Sequence, residues 1–275
     1  MLENAAQRDA IELTARFGSA LLARLQGPDF LAALAAGLQP FVAYKNFIVF
    51  GYREGFSADL IFTNLELPGL SRQMRPYTDG LYLLDPFYIA DMSQHRHGLL
   101  QLAEVAPDDF EQSEFFLTFY AAVDVLDELH YVVPLSPGRS VHVFIERELP
   151  GPKFSAAEVE TLTALESIVT TAIRAHWRWR DGVLPQRSTS PIQSAGGIDG
   201  VIRNMKPGEL TEREVEVIGL SLRGHSAKLI ARELGISEAT VTNHKRNVYE
   251  KLGVHSQSQL FSMFLNTLSS DAPGT

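Results

Sequence analysis

Residues 210–254, LTEREVEVIGLSLRGHSAKLIARELGISEATVTNHKRNVYEKLGV, hold three short helical patterns, each opened by a hydroxyl residue and closed by a glycine. Thr211 and Glu214 have the spacing at which a cap hydroxyl accepts from an N3 amide while the N3 carboxylate reaches back to the cap amide. Val215, Ile218 and Leu222 then mark one helix face up to Gly224. Ser226 caps a second helix, with Leu229, Ile230, Ala231 and Leu234 turned inward, which stops at Gly235. Ser237 caps a third, with Val241, Val248 and Leu252 on one side and Gly253 at its end. Two short helices around a glycine turn, the second bearing Thr, Asn, Lys and Arg, have the layout of a helix-turn-helix.

Outward from this stretch, 275 residues suit two domains, and 45% hydrophobic residues suffice for real cores. No uninterrupted apolar run reaches about 18 residues, and the start, MLENAAQRDAIEL, lacks a basic-then-apolar signal layout, so a soluble, cytoplasmic protein is expected. Cysteine is absent, which excludes disulfides, thiolate metal sites and cysteine nucleophiles. The net charge of −9 is unevenly spread: residues 1–200 hold 15 Lys+Arg against 25 Asp+Glu, leaving 9 against 8 for residues 201–275. The acidity therefore belongs to the first part, and any DNA contact by the second must come from local clustering of charge.

The first 38 residues read as one or two helices broken at Gly27-Pro28. Aromatic and β-branched residues from Phe41 to Tyr52, then Leu60 to Leu65, predict two antiparallel strands. Pro68 to Ala90 reads as irregular to helical, and His95 and His97 fall in a loop. A helix is expected from Asp108 to Val123, then strands at Leu129–Leu135 and Val141–Glu146 around the turn Ser136-Pro137-Gly138. A long helix from Phe154 to Arg180 opens with the capping spacing Ser155/Glu158, and its stripe Val159, Leu162, Val169, Ile173, His176 covers the sheet or forms a dimer seam. The fold class is thus α+β: residues 1–180 form an antiparallel-sheet sensor domain whose layout resembles GAF and PAS domains, residues 181–207 a Gly/Pro/Ser-rich linker, and residues 208–270 an all-α four-helix domain.

Leu210, Thr211, Arg213, Glu214, Gly224, Ser226, Lys228, Ile230, Ala231, Leu234, Ile236, Ser237, Thr240, Val241, His244, Asn247, Lys251, Leu252, Gly253 and Val254 resemble the LuxR-type DNA-binding domain. The resemblance implies a fourth helix, Ser256 to Leu268, which in the family commonly forms the dimer contact, and hence a homodimer. On a helix lying in the major groove, the side opposite Val241 and Val248 presents Thr242, Asn243 and Arg246 to base edges, where Arg chelates guanine and Asn pairs with adenine. Ser226, Lys228, Thr240, Lys245 and Asn247 are placed for phosphates. Three positions depart from the family: Thr242 stands where lysine is usual, Leu229 where glutamate is usual and Gln257 where arginine is usual. Loss of the lysine points to a different operator preference and lower nonspecific affinity.

Four readings compete for the first domain. A phosphorylated receiver needs alternating β/α order, which these residues lack. An acyl-homoserine-lactone receptor is similar in Tyr77, Tyr82 and Asp85-Pro86, but residues 1–150 contain no tryptophan, on which that family relies beside the lactone. A catalytic or metal-binding domain has only His95 and His97, without matching ligand spacing, phosphate loop or nucleophile elbow. A pocket for another small molecule is the chosen reading, with walls from Tyr44, Phe47, Tyr77, Tyr82, Phe87, Phe116 and Tyr120 and polar handles at Asp85 and His130. If Asp85 faces that pocket an amine suits its charge; otherwise Asp85 is a helix cap before Pro86. The sequence calls for no cofactor, no metal, no catalysis and no membrane contact, and for double-stranded operator DNA as partner.

Overall fold

A computed structural model describes residues 2–65, 70–121, 124–183 and 197–270. Helices α1 (Leu2–Arg24) and α2 (Phe30–Leu38) meet at the Gly27-Pro28 break and lead into strands β1 (Asn46–Arg53) and β2 (Asp59–Thr63). A helical insertion follows: α3 (Leu70–Thr78), a 3-10 turn Leu81–Leu84, and α4 (Pro86–Met92). Next come β3 (Gly98–Gln101), the single turn α5 (Leu102–Val105), the hairpin β4 (Val125–Ser136) and β5 (Arg139–Glu148), and the long α6 (Ala156–Val183). The five strands form one antiparallel sheet in the order β2-β1-β5-β4-β3. The domain is α+β with a central antiparallel sheet, the class expected from the sequence.

Period-two alternation gives this sheet two unlike faces. One carries Phe47 and Val49 from β1, Val141, Val143 and Ile145 from β5, and Leu129, Tyr131 and Val133 from β4. It is covered by Phe17 and Leu21 of α1, Leu34 and Leu38 of α2, and Leu162, Val169 and Ile173 of α6, which assigns the α6 stripe to sheet packing. Ser155 starts α6 as expected: its amide donates to Glu158 at 2.8 Å and its hydroxyl accepts from the Glu158 amide at 3.4 Å. The opposite face carries Asn46, Glu128, His130, Ser140, His142 and Glu146, all buried.

Two sequence expectations fail here. The helix predicted from Asp108 to Val123 is instead two short turns, Phe110–Gln112 and Phe116–Tyr120, and its end at 122–123 lies outside the described residues. Ser113 divides them, its hydroxyl accepting from the Phe116 amide at 3.1 Å, a local bond that competes with a continuous helix. Within the range assigned to the linker, residues 197–205 are helix α7 (Gly197–Met205), because Ile198, Val201 and Ile202 recur at helical spacing and are buried. Residues 184–196 lie outside the described residues.

The C-terminal helices are α8 (Glu212–Leu222), α9 (Ala227–Leu234), α10 (Glu238–Leu252) and α11 (Gln257–Ser270). Helix α7 packs against α8 and α11, so it belongs physically with this bundle. The bundle is docked on the sensor domain: Tyr77, Tyr82, Phe110 and Tyr120 share one hydrophobic cluster with Ile198, Val201, Val215, Ile218, Phe261 and Phe264. Gly80, at φ 151, lets the chain pass so close to α11 that a Cβ there would sit 2.5 Å from Leu268.

Phe47 is fully buried against Phe62 and Tyr44 on the helix-covered face. Phe47→Ala is expected to lower the stability of the full chain by about 3–5 kcal/mol, as large-to-small core changes do, read as a fall in the urea midpoint.

Candidate functional site

The helix-turn-helix is set by caps and one buried ion pair. Thr211 accepts from the Glu214 amide at 3.3 Å, and Glu214 accepts from the Thr211 amide at 2.8 Å, completing the capping box of α8. The same buried Glu214 carboxylate takes the Lys251 ammonium at 2.7 Å, which ties the end of α10 to the start of α8. Burial pushes the Glu214 carboxyl up, but Lys251 and the Thr211 donors outweigh it and hold it below its ordinary value. Ser226 caps α9 by accepting from the Leu229 amide at 3.2 Å, and Ser237 caps α10 by accepting from the Thr240 amide at 3.1 Å. Gly235 and Gly253 end these helices at φ 65 and φ 70.

Val241, Val248 and Leu252 are buried, which turns the opposite side of α10 outward. Thr242, Asn243 and Arg246 are exposed there together. The Thr242 hydroxyl donates to the Glu238 carbonyl at 3.0 Å, so it must turn from its own helix to meet a base. Of the phosphate candidates, Lys228 and Asn247 are exposed, while the Thr240 hydroxyl pairs with that of Ser237 at 2.8 Å. Ser226 and Lys245 are half-buried under the sensor domain. Burial lowers the Lys245 ammonium from its ordinary value, against the attraction of Asp109. Gln257, where the family has arginine, accepts from the Tyr249 hydroxyl at 2.8 Å, inside the bundle. The apolar side of α11, Leu260, Phe261, Phe264 and Leu268, is buried within the chain's own shared cluster.

Residues 208–264 match the model of the bacterial regulatory proteins of the luxR family. The C-terminal domain is a LuxR-type DNA-binding domain. Over 56 residues, 20% of its length, the chain is 45% identical to 25% of the monoamine regulon transcriptional regulator of Klebsiella aerogenes. Over 186 residues, 67% of its length, the whole chain is 28% identical to 94% of an Aeromonas salmonicida protein whose name is that of an HTH-type transcriptional regulator in the exeN 3′ region. The solved VqsR LBD domain of Pseudomonas aeruginosa superposes with a TM-score of 0.52 at 28% identity, over 63% of this chain and 98% of that one. The chain is accordingly a DNA-binding transcription regulator, a LuxR-type reader joined to a domain built like that of VqsR.

The sensor residues do not gather as the sequence suggested. Tyr44 and Phe47 lie on the helix-covered face, where the Tyr44 hydroxyl bonds the Ala35 carbonyl, so they are removed from the proposed pocket walls. Tyr77, Tyr82, Asp85, Phe87, Tyr120 and His130 are buried on the other side, with Phe116 half-buried against Tyr120. Both Asp85 oxygens are engaged: one caps α4 by accepting from the Phe87 amide at 2.8 Å, and the other accepts from the Tyr77 hydroxyl at 2.7 Å. Tyr77 in turn pairs with Tyr52 at 2.6 Å. His130 lies between the Phe87 ring, 3.5 Å away and stacked, and Phe144 at 3.7 Å. Its Nε2 is 2.5 Å from a Glu128 oxygen, and the other Glu128 oxygen accepts from Tyr120 at 2.6 Å.

Burial, reinforced by the charge of Asp85, raises the Glu128 carboxyl, and burial lowers the His130 imidazole. Both shifts favour the uncharged forms of the two groups, and His130 Nδ1 has no hydrogen-bond partner. Beside it Asn46 donates to Glu146 at 3.0 Å and to Glu148 at 2.9 Å, leaving its own Oδ1 unpaired. His142 bonds one Asp91 oxygen at 2.9 Å and His97 lies 3.2 Å from the other, at the edge of this face. Among the described residues no three His, Asp or Glu side chains are arranged to hold a metal ion. A cavity of about 1110 Å³ opens next to Asp91, lined by Tyr82, Tyr88, His97 and Ser140 of the sensor and by Ile198, Asp199 and Arg223 of the bundle.

Glu128, Glu146, Asn46 and His142 were missed from sequence because alternating polar positions in a strand read as a solvent face. Burial, reinforced by the crowding of the Glu128, Glu148 and Asp85 carboxyls and opposed by the Asn46 hydrogen bond, pushes the Glu146 carboxyl up from 4.5 to about 8. The folded chain thus keeps a proton that the unfolded chain releases, and stability falls as pH rises from 4.5 to about 8. Glu146→Gln is expected to flatten that slope and to stabilise the protein at the upper end of the window; urea titrations across it that show an unchanged slope would exclude this origin.

Proposed function

We propose that Thr242, Asn243 and Arg246 read bases in the major groove while Ser226, Lys228, Thr240, Lys245 and Asn247 contact phosphates, with two copies of the chain on a two-fold operator. The observation that supports this reading is the exposed side of α10, which is polar, presents Thr242, Asn243 and Arg246 together, and is tied at its end to α8 by the Glu214–Lys251 pair. An arginine on that side has the reach and the paired donors for guanine. Arg246→Ala is expected to cost roughly 1–3 kcal/mol on the operator and to relax selection at one base pair, measured by binding to operator and random duplexes. Equal losses on both would remove Arg246 from base reading.

The sensor domain, in this proposal, takes a small molecule over the polar sheet face through the adjoining cavity. What supports it is a buried surface with unused polarity: His130 Nδ1 and Asn46 Oδ1 have no partner, and the cavity at its edge is large enough for a small molecule. The neutral Glu128–His130 pair and the aromatic rings suit an apolar body with a few hydrogen-bonding groups. Asp85, with both oxygens engaged, serves first as a cap and a tyrosine acceptor. A ligand works only through the difference in its affinity for two arrangements of the chain. A thermal-shift panel of acyl-homoserine lactones, amines and aromatic acids against the full chain tests this. A ligand at 100 times its dissociation constant adds about 2.7 kcal/mol, and Glu128→Gln is expected to remove the shift. No shift with any compound, or a shift indifferent to Glu128, counts against the site.

A further inference from the structure

The segment from Asp108 to Tyr120 touches both halves of the molecule. Its first part meets the helix-turn-helix at the corner between α8 and α9. The Asp108 carboxylate accepts from the Ser226 amide at 3.0 Å and from the Ser226 hydroxyl. The Asp109 amide donates to the Gly224 carbonyl at 3.1 Å, and the Ser258 hydroxyl donates to Glu114. Gly224, at φ 92, is pressed so closely on this segment that a Cβ would lie 3.0 Å from the Phe110 Cα. Lys245 is half-buried beside Asp109. The segment's second part closes the polar sheet face: Phe119 stacks on Tyr77 at 4.9 Å, and Tyr120 donates to Glu128 at 2.6 Å.

Ser226 is the N-cap of α9, where free amides and the helix dipole favour an anion. In a docked helix-turn-helix that anion is a DNA phosphate. A carboxylate with two donors on it is a chemical substitute for that phosphate. Thr242, Asn243 and Arg246 remain exposed, so the sensor covers the backbone-contacting shoulder and leaves the base-reading side open.

We propose that residues 108–114 are a built-in competitor of the DNA backbone: Asp108 occupies the phosphate seat at Ser226, with Asp109 facing Lys245 and Glu114 on Ser258. DNA and the sensor domain then compete for one surface, and seating α10 in the groove requires that segment to let go. Because Phe119 and Tyr120 lie on the same segment, whatever displaces them from the polar face also loosens the competitor. The proposal rests on the reading of Ser226 and Lys245 as backbone contacts.

The test is binding of the full chain to a mixed-sequence duplex over a salt series. Asp108 is exposed, so Asp108→Ala keeps the fold. Glu111→Ala, an exposed residue of the same segment, removes an equal charge and serves as control. Asp108→Ala is expected to tighten binding about tenfold, Glu111→Ala about twofold or less, and the salt dependence of Asp108→Ala to steepen by roughly 0.9 for each additional phosphate neutralised. Asp108→Ala no tighter than Glu111→Ala overturns the proposal. Lys228→Ala, on a residue exposed to solvent, separates the two ideas. If it weakens binding while Asp108→Ala does nothing, the phosphate reading stands and the competitor falls; if it too does nothing, the phosphate reading falls with it.

Discussion

Burying the second face of the sheet is the constraint on which the molecule turns. Its first face is apolar and is covered by helices α1, α2 and α6 in the ordinary way. The second carries Asn46, Glu128, His130, His142 and Glu146, and no lysine or arginine forms an ion pair with these carboxylates among the described residues. Charged groups cannot stay charged in such a place without a counter-ion, so the chain neutralises them. The Glu128 and Glu146 carboxyls are pushed up and the His130 imidazole down. Buried polarity left half satisfied is costly, and proteins retain it where it does something. Aromatic residues cover this surface, and beneath them His130 Nδ1 and Asn46 Oδ1 remain unpaired.

What covers this face also joins the domains. Tyr77, Tyr82, Phe110 and Tyr120 fill the space above the strands and continue without a break into Val201, Ile218 and Phe264 of the bundle. The cavity beside the polar face has walls from both domains. A change in how the aromatic residues pack is therefore felt at the boundary, because close-packed interiors shift between discrete arrangements and do not deform smoothly. The apolar side of α11 is part of the same cluster.

Local chemistry explains which features were legible in the sequence. The helix-turn-helix could be read almost residue by residue, since Thr211, Ser226 and Ser237 as caps and Gly235 and Gly253 as stops act within four residues of their effect. Strands β1, β4 and β5 were likewise visible in their β-branched and aromatic runs. The failures involve longer reach. Ile198, Val201 and Ile202 stand in a stretch whose Gly, Pro and Ser content masks a helix stabilised by packing on α8, α11 and the Leu81–Leu84 turn. Phe47 is aromatic like the residues of the opposite face, and only its register in β1 decides that it faces the helices. Glu128 and His130 alternate with Leu129 and Tyr131 as a half-exposed strand would, and nothing local records that another layer lies above them.

The near-neutral balance of the DNA-binding half acquires a reason from this arrangement. With 9 Lys+Arg against 8 Asp+Glu in residues 201–275, and Thr242 where a lysine is usual, nonspecific attraction to DNA is modest. A strongly basic reader would bind DNA whatever the sensor did, since a few carboxylates cannot compete with many phosphates. Asp108, Asp109 and Glu114 have weak opposition to overcome, and an acidic first domain raises their advantage. Control by so few side chains is consistent with a reader whose own hold on the backbone is light.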